Sequence, residues 1–225
     1  MNKFLIYIPA RKGSKRLPDK NFKPFYKNFS ITEIAIKQAF QLNLDGRVLL
    51  DTDNLIFAKE MSNKYPNLHI HNRSSNFSGD EISIQNTIKA LYEESKNITE
   101  DFRYTILLQP TSPVRYIDEI DQAIEHFKKK NLMMLASVSK AMYEPADLFE
   151  LKNGKINKIL KKKRSNIFFE TGQFYIVNNN YLFQNDNPFS IISPDHIFET
   201  SPETSIDIDN EFQFQIAKII YNKFC

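Results

Sequence analysis

The chain has 225 residues, 41% hydrophobic and 25% charged, and Lys+Arg 30 against Asp+Glu 27 leaves a formal charge of +3. This excludes a collagen-like repeat or a disordered polar tail, and the length suits one or two domains whose core needs no covalent staples. The single cysteine, Cys225, is the last residue and cannot bridge internally, and the apolar run before Pro9 is too short for a signal peptide or a membrane span, so a cytoplasmic protein without a membrane partner is expected.

The first 140 residues alternate apolar runs with helical patterns. Phe4 to Ile8 reads as a buried strand, and Ser30-Ile31-Thr32-Glu33 as a capping box opening a helix. Gly46 turns the chain into a strand at Arg47 to Leu50, after which Asp53 is a candidate cap for a helix carrying Ile56, Phe57, Glu60 and Met61. Strands at 68–71, 104–108 and 132–138 then alternate with helices at 81–96 and 116–129. Such βαβ alternation implies an α/β fold in three layers around a mainly parallel sheet, with ligands at the carboxyl ends of the strands. Leu148 to Leu151 and Ile156 to Leu160 flank Asn153-Gly154 as a β-hairpin, and a basic run, Lys161 to Arg164, follows. Phe174 to Val177 reads as a strand, and Asp209 can cap a last helix with Phe212, Ile216, Ile219 and Ile220 on one stripe. Residues 139–171 read as a small subdomain inserted in one domain spanning 1–225, with contact between copies as its job.

The near-neutral total hides an asymmetry. Lys3, Arg11, Lys12, Lys15, Arg16, Lys20, Lys23 and Lys27 crowd the first 27 residues against Asp19 alone, whereas 195–211 holds six acids and no Lys or Arg. Two such segments can meet in one cleft. The loop after the first strand, Pro9 to Asn21, is neither GxxxxGK[ST] nor GxGxxG, yet it brings several cations, Gly13 and the Ser14 hydroxyl to a strand end, as a triphosphate requires. Within Ser205-Ile206-Asp207-Ile208-Asp209 two carboxylates share one side of an extended chain, which suits Mg²⁺, although Asp209 also reads as a helix cap. Asp51-Thr52-Asp53 repeats that pattern and reads equally well as a turn plus cap. Gln109-Pro110-Thr111-Ser112-Pro113-Val114-Arg115 is a rigid turn carrying amide and hydroxyl groups, suited to a base or ribose.

Together, Arg11, Ser14, Lys15, Lys20 and Asn21 in the first loop, the run at 109–115 and the Ser205–Asp209 segment resemble the acylneuraminate cytidylyltransferases, or CMP-sialic acid synthetases. Arg73 followed by Asp80, and Thr171-Gly172-Gln173-Phe174-Tyr175, extend the resemblance over nearly the whole chain. It implies a Rossmann-like nucleotidyltransferase fold, a homodimer built partly by the insertion, and the reaction of CTP with a nonulosonic 2-keto sugar acid to give CMP-sugar and diphosphate. The roles it implies are Arg11, Lys15, Lys20 and Asp209 in catalysis, and Arg11, Gly13, Ser14, Lys15, Lys20, Asn21, Arg73, Asp80 and Gln109 on CTP. Gln109, Gln173 and Tyr175 would face the sugar, and Asp207 and Asp209 would hold Mg²⁺. The chain departs from the family at Thr171 and Asp147, with Glu170 as an additional acid, so the identity of the sugar stays open.

Two other readings compete. A GT-A-like glycosyltransferase also uses a DxD site but lacks the cationic loop after the first strand. A basic RNA-binding module leaves the acidic segment unused, so no nucleic-acid partner is expected. The four histidines, at 69, 71, 126 and 196, show no ligand or base spacing and read as structural or surface residues.

Overall fold

The computed structural model describes residues 3–79, 82–99, 101–141, 143, 145–158 and 166–225. The first half runs β1 (Phe4–Ala10), β2 (Pro24–Tyr26), β3 (Phe29–Ser30), α1 (Ile31–Ala39), β4 (Gly46–Thr52), α2 (Leu55–Lys64) and β5 (His69–Asn72). It continues through α3 (Ile84–Glu94), α4 (Lys96–Thr99), β6 (Tyr104–Leu108), α5 (Ile117–Lys130) and β7 (Met134–Lys140). The second half holds β8 (Phe149–Lys152), β9 (Lys155–Lys158), β10 (Phe168–Asn178), α6 (Asn179–Gln184), β11 (Ile197–Glu199) and α7 (Glu211–Phe224).

Seven strands form one sheet in the order β11-β7-β10-β6-β1-β4-β5. β1 pairs in parallel with both β4 and β6, and β10 is the antiparallel member, wedged between β6 and β7. Because β1 is buried on both faces, its apolar run is continuous rather than alternating. Phe4, Ile6 and Ile8 pack with the Ala35, Met61 and Phe127 side, while Leu5 and Tyr7 pack with Ile88, Leu91 and Leu182 on the other. Helices therefore cover both faces, and the three-layer, mainly parallel expectation holds.

Several expected caps move by one residue. Asn54, not Asp53, caps α2 by accepting the Phe57 N–H at 3.2 Å, because the Asp53 carboxylate is occupied by the Lys12 N–H at 2.7 Å. Likewise Asn210, not Asp209, caps α7, in a reciprocal capping box with Gln213. The Ser30 box is half made: Ser30 accepts the Glu33 N–H, but the Glu33 carboxylate turns to Lys64 and Tyr65. The buried stripe of α7 is Phe214 and Ala217 with Tyr221, packed on Phe25, while Phe212 and Ile219 face outward. The turn before β4 is one residue earlier than expected, since Gly46 is the strand's first residue, where a Cβ would sit 2.7 Å from the Phe4 carbonyl. The helix expected over 81–96 starts later, at Ile84, with Ser83 as its cap.

β7 continues to Lys140 and β10 begins at Phe168, so both ends of the 139–171 segment belong to the sheet. Within it β8 and β9 form an antiparallel hairpin whose residues are all exposed. The end of the expected second strand at 159–160, and the basic run Lys161 to Arg164, lie outside the described residues.

Candidate active site

Loops from the carboxyl ends of β1, β5 and β6 meet the segment before α7 around a cavity of about 540 Å³. Of the residues expected from sequence, Arg11, Ser14, Lys15, Lys20, Asn21, Arg73, Gln109 and Asp209 line it. Asp80 lies outside the described residues. Gly13, Asp207, Gln173 and Tyr175 do not line the cavity.

The basic loop is held in shape before any ligand arrives. Ser14 N–H bonds back to Lys12 O at 2.9 Å, Asp53 anchors the Lys12 N–H, and Arg11 Nη1 reaches Gly13 O at 3.0 Å and Ser78 O at 3.5 Å. Its far end meets the acidic segment. Arg16 Nη1 lies 2.6 Å from Asp209 Oδ2, and Lys20 Nζ donates to Ile208 O at 2.6 Å and lies 3.4 Å from Asp209 Oδ1. Arg16, which the sequence marked only as one cation among several, is thus a lining residue of the cleft. Asn21 Nδ2 donates to Arg11 O at 2.9 Å, while its buried Oδ1 has no hydrogen-bond partner among the described residues. A buried acceptor left in this state suits a ligand donor.

The acidic segment alternates as an extended chain should. Ile208 is buried with Leu17, Phe25 and Phe214, its N–H bonds to Thr111 O at 2.8 Å, and the carboxylates of Asp207 and Asp209 turn the other way. Desolvation by the surrounding protein raises the Asp207 pKa above the ordinary carboxylate value, and the neighbouring Asp209 raises it further against the pull of Thr111, Lys20 and Ser112. Oxygen-only donors on one side of the chain fit Mg²⁺, with phosphate and water completing its sphere.

The 109–115 turn is built from below by Arg115, which is 2% exposed. Its Nε donates to Gln173 O and its Nη1 to Gln38 Oε1, both at 2.9 Å, and its Nη2 donates to Gln109 O. Burial pushes this guanidinium below its usual pKa, and it serves as the strut of the loop. Ser112 Oγ donates to Thr171 O at 3.1 Å and lies 3.4 Å from Asp207 Oδ1. Across this loop runs Gly172, at φ +69°, where the ladder between β10 and β7 shifts register; a Cβ there would stand 2.7 Å from Gln109 Oε1. A side chain there is strained in the left-handed region and must push the Gln109 amide aside.

Gln173 does not line the cavity, and its Nε2 donates to Thr200 Oγ1 and Thr204 Oγ1, each at 2.9 Å. Tyr175 is nearly buried and donates to Glu170 Oε2 at 2.8 Å; desolvation, Glu170 and Asp207 raise its pKa, in that order. Tyr175, Glu170 and Asp207 are therefore close enough to interact, although none of them lines the cavity.

Sequence reasoning missed the group beneath Arg73. Asp51, wholly buried, accepts from Arg73 Nε at 2.9 Å, from Tyr7 OH and from His71 Nδ1 at 2.8 Å, and His71 Nε2 lies 3.3 Å from Glu94. Burial alone would raise the Asp51 pKa, but His71 and Arg73 outweigh it and lower it. Burial would likewise lower His71, yet Asp51 and Glu94 raise it. The signal was present: an Asp inside the apolar strand Val48-Leu49-Leu50, in register with His71 on the next strand.

A family model described as Cytidylyltransferase matches residues 5–218. Pseudaminic acid cytidylyltransferase of Campylobacter jejuni subsp. jejuni serotype O:2 is 26% identical over 97% of this chain and 96% of its own. N-acylneuraminate cytidylyltransferase of Escherichia coli O18:K1:H7 is 25% identical over 98% of this chain and 52% of its own. The fold is shared with the solved CMP:2-keto-3-deoxy-manno-octonic acid synthetase complexed with CTP, at TM-score 0.70, 14% identity and full coverage of both chains.

Proposed function

The chain belongs to the cytidylyltransferase family, and from that premise we propose that it activates a nonulosonic sugar acid, converting CTP and the acid to CMP-sugar and diphosphate. The observation that carries this reading is the basic loop, Arg11 to Lys20, ion-paired to Asp209 around one cavity at the strand ends. A glycosyltransferase consuming a nucleotide sugar has no need of such a loop. Among the described residues no helix is long and apolar enough to cross a membrane.

In the mechanism, Arg11, Lys15 and Lys20 bind the triphosphate and Asn21 Oδ1 accepts a donor from the nucleoside. The anomeric hydroxyl of the sugar acid attacks the α-phosphorus, a P–O bond to that oxygen forms, the α–β bridging P–O bond breaks, and the hydroxyl proton leaves to solvent. The protein positions and neutralises rather than forming covalent bonds. Mg²⁺, when bound by Asp207 and Asp209, supplies charge to the phosphoryl oxygens. Tyr175, hydrogen-bonded to Glu170 and close enough to Asp207 for that carboxylate to raise its pKa, is the candidate contact to the sugar acid.

The exposed hairpin is the proposed homodimer contact, since Phe149, Leu151 and Ile156, at 60%, 73% and 69% exposure, share one face through the Leu151–Ile156 pairing. The deciding assay is diphosphate release with CTP and Mg²⁺ across a panel of nonulosonic acids, among them pseudaminate, N-acetylneuraminate and legionaminate, with an eight-carbon acid as a further arm. Release with one or more acids is expected, and it should stop after EDTA dialysis. No release with any acid overturns the reading.

A further inference from the structure

Arg73 lines the cavity, as do Phe77, Ile82, Ile84 and Thr87 from the segment that follows it. An apolar wall with one guanidinium suits a base, whereas Arg11, Lys15 and Lys20 gather where the triphosphate belongs. Four contacts through Nε and Nη2 hold the guanidinium. Nε and Nη2 both engage Asp51 Oδ2, at 2.9 and 2.6 Å, and Nη2 also donates to Tyr7 OH at 3.3 Å and Asp51 O at 3.3 Å. Nη1 donates to no protein atom among the described residues. Its two N–H groups match the adjacent O2 and N3 acceptors of cytosine. Uracil presents an N–H at that second position, so the same nitrogen would meet a donor there.

We propose that Asp51 is a positioning residue: with Tyr7 and His71 it fixes Arg73 so that Nη1 faces the pyrimidine edge, and thereby sets the preference for CTP over UTP. This rests on the reading that the cavity takes CTP. Asp51 is 0% exposed and its two oxygens are shared among three side chains from β1, β5 and the turn that follows, so it cannot follow Arg73 if the arginine drifts. His71 extends the brace to Glu94 on α3, the helix whose first residue, Ile84, forms part of the apolar wall.

The test is a cycle of Asp51→Asn, Arg73→Met and the double variant, with diphosphate release measured against CTP and UTP. Tyr7→Phe removes one hydroxyl and serves if Asp51→Asn does not fold. Asp51→Asn should raise KM for CTP about tenfold or more, change kcat little, and lower the CTP-to-UTP ratio of kcat/KM about tenfold, the range of one hydrogen-bonded discrimination. Tyr7→Phe should move the ratio the same way by less. The double variant should show the ratio of Arg73→Met alone, since Asp51 acts through Arg73. A ratio unchanged in Asp51→Asn and Tyr7→Phe, or effects on the ratio that simply add in the double variant, overturns the proposal. Wild-type protein inactive with CTP instead overturns the functional reading on which it rests.

Discussion

Replacing Gly172 by Ala tests the close approach on which the nucleotide side of the site depends. At φ +69° an alanine sits in the left-handed region, at a cost of about 1–2 kcal/mol, which for a chain of this size lowers Tm by about 2–8 °C. The new Cβ would start 2.7 Å from Gln109 Oε1 and needs at least 3.4 Å, so the amide must retreat by about 0.7 Å. Ser112 Oγ, at 3.2 Å, has less freedom because it is tied to Thr171 O. Gln109 lines the cavity, and displacement of a binding group by about 1 Å can cost about 10²-fold in rate. A fall of about 10- to 100-fold in kcat/KM for CTP is expected, with normal far-UV circular dichroism. Diphosphate release at varied CTP, with thermal melts on the same samples, reads both effects. The contrast is Gly13→Ala, in the basic loop, where nothing lies within 4 Å of the added Cβ; it should be neutral or stabilise by about 0.4–1 kcal/mol. A Gly172→Ala protein with wild-type Tm and wild-type kcat/KM would refute the reasoning.

Lys20→Ala removes a preorganised cation whose side chain is 12% exposed and should cost about 10²–10³ in kcat at saturating CTP; a loss under about threefold in steady-state assays contradicts its role. Asp207 has a folded pKa above its unfolded one, so its ionised form opposes folding at neutral pH and that opposition vanishes as pH falls below the unfolded value near 3.8; Asp207→Asn should therefore raise Tm at pH 7 while abolishing the response to Mg²⁺, and a lower Tm at pH 7 contradicts it. His71 has a raised folded pKa, so its contribution is complete below about 6.5 and fades as pH climbs through the folded value. Thermal melts of wild type and His71→Gln should accordingly converge on the alkaline side, and a gap that widens there is the opposite outcome. Asn54→Ala should cost about 1 kcal/mol of stability with activity intact, whereas Asp53→Ala, which frees the Lys12 N–H, should raise KM for CTP; the reverse pattern would restore Asp53 as the cap.

The sheet was readable because its signals are local. Phe4 to Ile8 and Tyr104 to Leu108 are uninterrupted apolar runs, and the intervening helices carry their own stripes. The cationic loop was readable from charge and position. The sequence did not reveal how polar side chains choose among partners already near them. Asp53 and Asp209 looked like caps since both precede helices, but each has a stronger claimant in space: the Lys12 amide for one, and Arg16 with Lys20 for the other. Gln173 was expected at the sugar from the family resemblance alone, and its side-chain amide bonds to Thr200 and Thr204, partners 27 and 31 residues away that no local signal marks. The Asp51 cluster joins β1, β4 and β5 across sequence separations of 44 and 20 residues, and only strand register brings its members together.

The pairing of Arg16 and Lys20 with Asp209 bears on how the site works. An isolated surface ion pair contributes little, about 0–1 kcal/mol, and Arg16 is 73% exposed, so stability does not account for it. Its effect is on geometry. Repulsion among Arg11, Lys12, Lys15, Arg16 and Lys20 would spread a loop of this composition, and Asp53 at one end with Asp209 at the other hold it folded over the cavity. A triphosphate entering there meets cations already gathered, so less of its binding energy goes into ordering them. Asp207, desolvated and beside Asp209, has Lys20 as its nearby cation, and in the proposed site a divalent ion would be shared by both carboxylates. Separate loss of Asp53 and of Asp209 should therefore differ in kind: the first weakens CTP binding with turnover largely kept, and the second also lowers kcat, because only Asp209 is shared between the loop and the metal.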